Sequence, residues 1–485
     1  MPKINIMKKT ILLIYLLTFS SLLYSQTTPR TGLLFDDDAY SATPLKARNV
    51  SFQSVVAEQS SASLKEFVPE ILTQGSYGTC VGWSSAYYGR TILNARINNL
   101  TSQDDISMNA FSPVFTYLNS NVDDDYNCQG GAYINKALEA MVDKGVPYFK
   151  DYNVMCDSYI PSELWLMAED NKIKDFNRLF DGDESEEVKI ESVKRSLING
   201  NPVIIGFQVE NSFYTAKNVY EPDYGGITGG HAMCVVGYDD DKYGGAFEIV
   251  NSWGKNWGND GFIWVRYEEF IEYTKYAFEM IPAKSIKIPE NILAGELTMK
   301  LYDGSIMQIK KGTGEYKKSI LGWQDVVVDE SSQSIGDYIT TEIHPENTRY
   351  KIYAKVNKPA YIYVVGADSD QRNGVLFPHK EGISPYISYE DTEVIVPGEK
   401  YWFRLNSDVA SDYTVVIFSE DKIDINEVKT ELDDLEGGLI DKLYVIFKDK
   451  LIDKNKVNLD ESKMAFEAKY TKGTMALMVL DIKRK

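Results

Sequence analysis

Residues 74–80 read Gln-Gly-Ser-Tyr-Gly-Thr-Cys, and they lead directly into a segment in which apolar and small residues recur at helical spacing. Gly75 and Gly78 let the backbone turn tightly before Cys80. The pattern therefore predicts that Cys80 begins a helix. Unpaired backbone N–H groups and the positive end of the helix dipole favour a thiolate at such a position. A buried structural cysteine is the alternative interpretation of Cys80 taken alone.

Histidine is rare in this chain, which narrows the possible partners of a reactive thiol. The three histidines are His231, His344 and His379, and the last two lie in a later, β-rich region. His231 follows a glycine pair and precedes a strand predicted at 232–238. An imidazole at the end of a buried strand can reach into a cleft and move protons for a nucleophile. A core histidine with its hydrogen bonds satisfied is the alternative.

Three more residues complete a candidate site for acyl transfer. Asn251 ends a predicted strand, and its amide is expected to accept a hydrogen bond from His231 and so fix the ring tautomer. Trp253 is expected to cover that hydrogen bond and exclude water. Gln74 is expected to donate a side-chain N–H to an oxyanion, with the backbone N–H of Cys80 as the second donor. A turn asparagine beside a core tryptophan is the alternative.

The composition limits the classes of partner. The chain has 485 residues, of which 44% are hydrophobic, so it is long enough for two domains with packed cores. Its formal net charge of −20 argues against nucleic acid or an anionic membrane as partners. The four cysteines and three histidines are scattered, and the acidic clusters lack the alternating ligand spacing of a calcium loop. No metal and no cofactor is therefore expected.

The N-terminus has the features of an export signal. Lysines precede an apolar run at 11–23, which is too short to span a bilayer comfortably, and Ser25 offers a small residue for cleavage. An uncleaved N-terminal anchor is the alternative. The sequence predicts a secreted or periplasmic protein with no membrane attachment after the signal is removed.

Export would place the four cysteines in an oxidising compartment. Cys80 must stay reduced if it is the nucleophile, and Cys234 lies in an apolar, strand-like run that is typical of a buried thiol. Cys128 and Cys156 are therefore the expected disulfide pair.

The sequence changes character several times along its length. The predicted parts are a signal peptide at 1–25, a loosely ordered extension at 26–62, a globular domain at 63–283, a linker at 284–295 and a β-rich domain at 296–485. The last part contains short β-branched and aromatic runs separated by turn residues, which is typical of a sandwich or barrel. Near its end, a helix is predicted at 427–435 and a last strand at 476–480.

Four motifs, in this order, resemble those of papain-like cysteine peptidases, and the pattern is closest to the bacterial branch of the family. They are Gln74-Gly-x-x-Gly-x-Cys80, Cys128-Gln-Gly-Gly131, Gly230-His-Ala232 and Asn251-Ser-Trp-Gly-x-x-Trp-Gly-x-x-Gly-Phe262. The resemblance covers about residues 63–283. It implies an α+β fold with a helical lobe and a β-barrel-like lobe, an active cleft between them, and a separate mostly-β domain after them.

The resemblance also implies the roles of individual residues. Cys80, His231, Asn251 and Gln74 would be catalytic. The substrate-binding residues would be Gly130, Gly131 and Trp253, with the glycine backbone pairing with an extended peptide. Tyr77 stands where the family usually has a cysteine, Val81 where it has tryptophan, and Gly230 where it often has aspartate.

The function implied is that of an exported thiol peptidase acting on peptides or proteins. A transpeptidase or deamidase on the same scaffold is one alternative, and a catalytically silent peptide-binding relative is another. The C-terminal region is similar to an uncharacterised β-rich domain found on some bacterial peptidases. The chain lacks a long helical pro-region before Cys80, so any latency would have to come from the N-terminal extension or from the C-terminal region.

Overall fold

The computed structural model describes residues 29–47, 59–283, 292–312, 336–369, 372–388, 393–405 and 409–484. The predicted signal at 1–25 lies outside these ranges. Within them, no helix is both long enough and apolar enough to cross a membrane.

One long helix organises the first lobe. This helix, α2 (80–97), joins Cys80–Gly82, a π-helical stretch Trp83–Arg90 and Thr91–Ile97. Every residue in 80–93 is buried, so the helix is enclosed on all sides by its neighbours. The other helices of this part are α1 Asp37–Ala42, α3 Gln103–Met108, α4 Pro113–Leu118, α5 Ile134–Asp143 and α6 Ser162–Glu169.

The second lobe is an antiparallel sheet in the order β2-β7-β3-β4-β5-β6, with β1 paired to β4. The strands are β1 Ser61–Ser63, β2 Asp175–Arg178, β3 Val203–Val209, β4 Gly229–Asp239, β5 Ala246–Val250, β6 Phe262–Arg266 and β7 Thr274–Ile281. The lobe also contains helices α7 Glu186–Ile198 and α8 Tyr267–Tyr273. The central strands β3 and β4 are buried almost throughout, so both faces of the sheet are covered.

The C-terminal region is built on two further sheets. One has the order β13-β12-β17-β20-β10-β9 with β14 on β12, and the other has β15-β11-β8-β19-β18 with β16 on β11. The strands are β8 Ile292–Leu301, β9 Ile309–Lys311, β10 Tyr338–Thr340, β11 Arg349–Val356, β12 Ala360–Asp368, β13 Asn373–Phe377, β14 Tyr386–Ile387, β15 Val394–Val396, β16 Phe403–Arg404, β17 Ser411–Ser419, β18 Val457–Leu459, β19 Met464–Lys469 and β20 Met475–Lys483.

Strand β12 shows how these layers are packed. Ile362 and Val364 belong to the core between the two sheets, whereas Tyr361, Tyr363 and Val365 belong to a second core on the opposite face. Side chains alternate between the faces of a strand, so one strand serves both cores. The second core is covered by two helices, α9 Ile425–Asp434 and α10 Leu439–Phe447.

The structure agrees with the predicted fold class and differs at two boundaries. The α+β class, the two lobes and the separate β-rich region are confirmed. Strand β8 begins at Ile292, inside the predicted linker 284–295, because alternate residues from there onward are buried against the sandwich. The extension 26–62 is not loosely ordered in its described parts. Residues 29–47 pack against both lobes, and Ser61–Ser63 form β1.

The predicted disulfide between Cys128 and Cys156 is formed, with their Cα atoms 5.9 Å apart. Cys80 and Cys234 are free, and Cys234 is buried, also as predicted; Cys80 is buried as well. The disulfide ties the loop that precedes α5 to the segment that leads into α6.

Replacing Cys128 and Cys156 together by serine is expected to lower the free energy of unfolding. Closing a loop of this length stabilises a chain by roughly 3 kcal/mol, mainly by restricting the unfolded state. Urea denaturation of the oxidised wild type and of the double variant measures the difference. Reducing the wild type should produce the same loss, and equal midpoints for all three samples would contradict the prediction.

Candidate active site

Cys80 is the first residue of α2, as predicted, and it faces the strand that carries His231. Its side chain is completely buried. The backbone N–H groups of Ala232 in β4 and of Gly32 approach the thiol, together with those of Val81 and of Cys80 itself. The helix of one lobe and the central strand of the other therefore meet at the sulfur.

His231 and Asn251 form a buried pair opposite the thiol. His231 Nε2 lies 2.8 Å from Asn251 Oδ1, and the second ring nitrogen, Nδ1, has no hydrogen-bond partner among the described residues. The Trp253 ring lies over the imidazole with ring centres 4.6 Å apart, and Tyr214 stacks on Trp253. One ring nitrogen is thus fixed by the amide, which leaves the other for proton transfer.

Gln74 is held by groups from both lobes. Its Nε2 donates to the carbonyl of Tyr77 at 2.7 Å and to that of Arg30 at 2.9 Å. Its Oε1 accepts a hydrogen bond from Ser252 Oγ at 2.6 Å. The amide orientation is therefore set by its neighbours, with one N–H directed at a carbonyl oxygen in the cleft.

Ser252 is a site residue that the sequence reasoning did not single out. Its hydroxyl donates to Gln74, and its backbone N–H donates to Asn251 Oδ1 at 2.7 Å. It therefore links the Gln74 amide to the amide that contacts His231. Its place between Asn251 and Trp253 in the motif was the only available signal.

The cleft is occupied by the chain's own N-terminal segment. We call residues 29–47 the strap. Leu33 N–H donates to the carbonyl of Gly230 on one wall at 3.0 Å. On the other wall, the Ala132 N–H donates to the carbonyl of Gly32 at 2.8 Å, and the Ala132 carbonyl accepts from the Leu34 N–H at 3.0 Å. These two bonds form a parallel bridge. The strap therefore crosses directly over the thiol.

Glycine at position 32 is what allows this close approach. A Cβ atom added at Gly32 would lie 2.0 Å from the carbonyl oxygen of Gly78. The strap carbonyl that reaches Gln74 belongs to Arg30, whereas the group that approaches the Cys80 sulfur is the N–H of Gly32. An amide N–H is not an electrophile, so this group of the strap is not one that the thiol could attack.

The predicted substrate-binding glycines lie beside the strap but do not pair with its backbone in the described state. Gly131 lies against the strap, but its N–H donates to the Tyr117 hydroxyl and its carbonyl accepts from Val122. Backbone pairing with the strap therefore uses Ala132 instead. Gly131 matters for space, because a Cβ there would lie 2.6 Å from the Gly32 oxygen. A Cβ on Gly130 would instead meet side chains of the neighbouring loop.

Burial holds both reacting groups in their neutral forms. Desolvation raises the pKa of Cys80 to about 11, opposed in part by the surrounding backbone N–H groups. Desolvation lowers the pKa of His231 to about 4, opposed in part by its hydrogen bond to Asn251. At neutral pH this state therefore contains a thiol and a neutral imidazole, whereas nucleophilic attack requires a thiolate.

The lowered pKa of His231 predicts how the free energy of unfolding depends on pH. It lies below the ordinary value of 6.5, so as pH falls the unfolded chain takes up this proton first. The contribution of the neutral His231 ring to the free energy of unfolding is fully present above pH 6.5 and is lost as the pH falls toward 4. Between pH 7 and 4.5, the wild type should lose roughly 2–3 kcal/mol more than His231→Gln. Urea denaturation at both pH values tests this, and equal losses would contradict it.

Among the described residues, no group of three or more His, Cys, Asp or Glu side chains could hold a metal ion.

Comparison with known families divides the chain in two. Residues 58–280 match the family described as papain family cysteine protease. Residues 345–422 match a domain of unknown function, DUF4384. The first match contains all of Gln74, Cys80, His231 and Asn251.

The chain matches curated relatives over only part of their length. The chain is 29% identical to "Cathepsin B-like CP2" of Giardia intestinalis over 208 residues, which is 40% of this chain and 63% of that protein. It is 40% identical to "Cathepsin B-like CP3" of the same organism over 73 residues, which is 15% of this chain and 24% of that protein. The chain thus spans less than two thirds of these relatives.

Two solved structures are similar to part of the chain. Xylellain, a cysteine protease from Xylella fastidiosa, has 21% identity and a TM-score of 0.42, covering 54% of this chain and 99% of that one. Procathepsin B S9 from Trypanosoma congolense has 17% identity and a TM-score of 0.41, covering 54% and 89%.

Proposed function

Because residues 58–280 form a papain-like cysteine peptidase domain, we propose that this chain hydrolyses peptide bonds through a Cys-His-Asn acyl-enzyme mechanism. The observation that carries the proposal is the convergence of four side chains from both lobes. Cys80 begins the central helix, His231 is held by Asn251, and Gln74 directs an N–H into the cleft.

The first half-reaction forms an acyl-enzyme. Cys80 gives its proton to His231, and the thiolate attacks the carbonyl carbon of the scissile peptide bond. The oxyanion is stabilised by the Gln74 Nε2–H and by the backbone N–H of Cys80. The Arg30 carbonyl now accepts the Gln74 N–H, which supports this assignment. As the C–N bond breaks, His231 returns the proton to the departing amine.

The second half-reaction hydrolyses the thioester. His231 takes a proton from water, the resulting hydroxide attacks the acyl carbon, and the C–S bond breaks to release the carboxylic acid. Asn251 holds the imidazole in the required tautomer throughout, and Trp253 shields their hydrogen bond from water. Because Asn251 is neutral, it does so without drawing the proton away from the thiolate–imidazolium pair.

The strap must leave before any substrate can bind. Its backbone already uses the hydrogen bonds of Ala132 and Gly230, and it buries the thiol completely. We therefore propose that the described state is latent, and that peptides or proteins become substrates after the strap is displaced. We also propose that the chain is exported. The Cys128–Cys156 disulfide supports this, because such bonds persist in oxidising compartments.

The function is tested on Gly32→Val, a variant in which the new side chain prevents the strap from packing in the cleft. We expect an epoxide reagent to label Cys80 at neutral pH and the variant to hydrolyse casein, whereas Cys80→Ala in the same background does neither. A folded Gly32→Val protein that neither labels at Cys80 nor cleaves casein would overturn the proposal in favour of a silent binding protein.

Product analysis separates hydrolysis from transfer to an amine. An added amine nucleophile competes with water for the acyl-enzyme, so a transpeptidase would give mainly the amide product. A deamidase would release ammonia from glutamine side chains and leave the backbone uncut. We expect the carboxylic acid product of backbone cleavage.

A further inference from the structure

The strap reaches beyond the cleft and touches the C-terminal domain. At Leu45 it pairs with β2 on one side, as a parallel bridge to Arg178, and with Ile383 of the C-terminal domain on the other. Leu45 N–H donates to the carbonyl of Gly382 at 2.7 Å, and Ser384 N–H donates to the carbonyl of Leu45 at 3.0 Å. The strap is thus a shared strand between the peptidase sheet and the C-terminal domain.

Arg178 reinforces this junction from the peptidase side. Its guanidinium donates to the carbonyl of Gly382 at 2.9 Å and also to that of Thr43 in the strap. Its backbone N–H donates to Pro44 at 3.0 Å. Gly382 approaches the strap closely, since a Cβ atom there would lie 3.0 Å from the carbonyl oxygen of Ser41.

Between the cleft and this junction, the strap follows β7. The Asp37 carboxylate accepts from the Tyr276 hydroxyl at 2.5 Å, and the Tyr40 ring stacks on Tyr276. Lys46 then pairs with the fully buried carboxylate of Glu279 at 2.5 Å. A buried carboxylate that loses its cation is strongly destabilising. The strap is therefore held along its whole described length.

The C-terminal domain rests on the same edge of the sheet. Lys422 pairs with Asp175 of β2 at 2.7 Å, and Tyr361 donates to the same carboxylate at 3.4 Å. Ile281, the last residue of β7, belongs to the hydrophobic core that contains Tyr361 and Tyr386 of the C-terminal domain. The surface that holds the strap and the surface that holds the domain are continuous.

We propose that the C-terminal domain clamps the strap at Leu45, so that the domain keeps the peptidase latent and its displacement from β2 and β7 opens the cleft. This inference rests on the proposed function, because latency has meaning only for a working thiol. It assigns a regulatory role to the part of the chain that matches a domain of unknown function.

The test is carried out on the full chain with variants that lie outside the catalytic site. Ser384→Pro removes the N–H that donates to Leu45, and Ser384→Ala is the matched control that keeps it. Lys422→Glu replaces the ion pair with Asp175 by two carboxylates, and Lys422→Arg is the matched control that keeps the ion pair. The readout is the rate at which iodoacetamide labels Cys80 at pH 7, with circular dichroism as the check on folding.

We expect Ser384→Pro and Lys422→Glu each to raise the labelling rate at least about tenfold, with Ser384→Ala and Lys422→Arg near wild type. If Ser384→Pro does not fold, Lys422→Glu and its control Lys422→Arg decide the matter. Wild-type labelling rates for the folded clamp variants, with rapid labelling of Gly32→Val, would overturn the clamp and leave the proposed function intact. Absence of labelling and turnover in Gly32→Val would overturn the proposed function itself.

Discussion

Replacing Gly32 by valine is expected to convert a protein with an unreactive thiol into one whose thiol is labelled rapidly at neutral pH. The new Cβ would lie 2.0 Å from the carbonyl oxygen of Gly78. A shift of Gly32 would break its hydrogen bond with Ala132, and a shift of Gly78 would break its hydrogen bond with Cys128. Overpacking of this kind typically costs 1–3 kcal/mol or more. Since each 1.4 kcal/mol is a factor of about ten, we expect the rate to rise on the order of a hundredfold.

The control for this variant is a valine substitution at a glycine that has free space for a Cβ atom. A Cβ atom added at Gly182 meets nothing within 4 Å, and its φ is not positive, so Gly182→Val should label at the wild-type rate. Labelling is measured by mass spectrometry of the Cys80 peptide, with buried Cys234 as an internal reference that should stay unlabelled. Equal rates for the two valine variants would show that the strap does not protect the thiol.

Removing His231 is expected to produce the largest loss of activity. In the Gly32→Val background, His231→Ala should lower peptide turnover by at least about 10⁴-fold, because the thiol loses both its base and the acid for its leaving group. Asn251→Ala should cost less, roughly 10- to 100-fold, because it removes one hydrogen bond to a charged ring worth about 1.5–3 kcal/mol. Initial rates on a fluorogenic peptide measure both.

The pH profile separates a catalytic role for His231 from a structural one. The parent should show a rate that depends on a thiolate–imidazolium pair, so labelling of Cys80 persists well below the ordinary thiol pKa. In His231→Ala, labelling should rise only as the isolated thiol ionises. If both proteins labelled with the same pH dependence, His231 would have no part in activating Cys80.

Much of the site could be predicted because each residue lies at a local signal in the sequence. The glycines before Cys80, the strand after His231 and the motif around Asn251 each define a backbone setting. The structure brings these residues together at a single cleft. In the C-terminal region, the predicted last strand at 476–480 lies within β20, and the predicted helix at 427–435 overlaps α9. Alternating burial and turn residues are short-range features, so they can be read from sequence.

The strap could not be predicted for the opposite reason. Residues 29–47 have little periodicity. Asp36 caps the short helix α1 locally, but the position of the strap across the cleft comes from distant groups such as Gly230, Ala132 and Glu279. Gly32 does not lie in a turn, so the local sequence does not explain why glycine is needed there. The reason is the Gly78 backbone, which leaves no space for a side chain at position 32. The Gly131 N–H is likewise used by a distant group, the hydroxyl of Tyr117 in α4, so the strap pairs with Ala132.

The covalent continuity of the strap has a kinetic consequence. A segment tethered to the cleft it fills has an effective concentration on the order of millimolar, which no dilution reduces. A peptide present at micromolar levels would compete poorly against it, even after a transient opening. Lasting activity therefore requires either that the chain be cut behind the strap or that something keep the strap engaged elsewhere. In the first case activation is irreversible. In the second case the protein can switch back to the latent state.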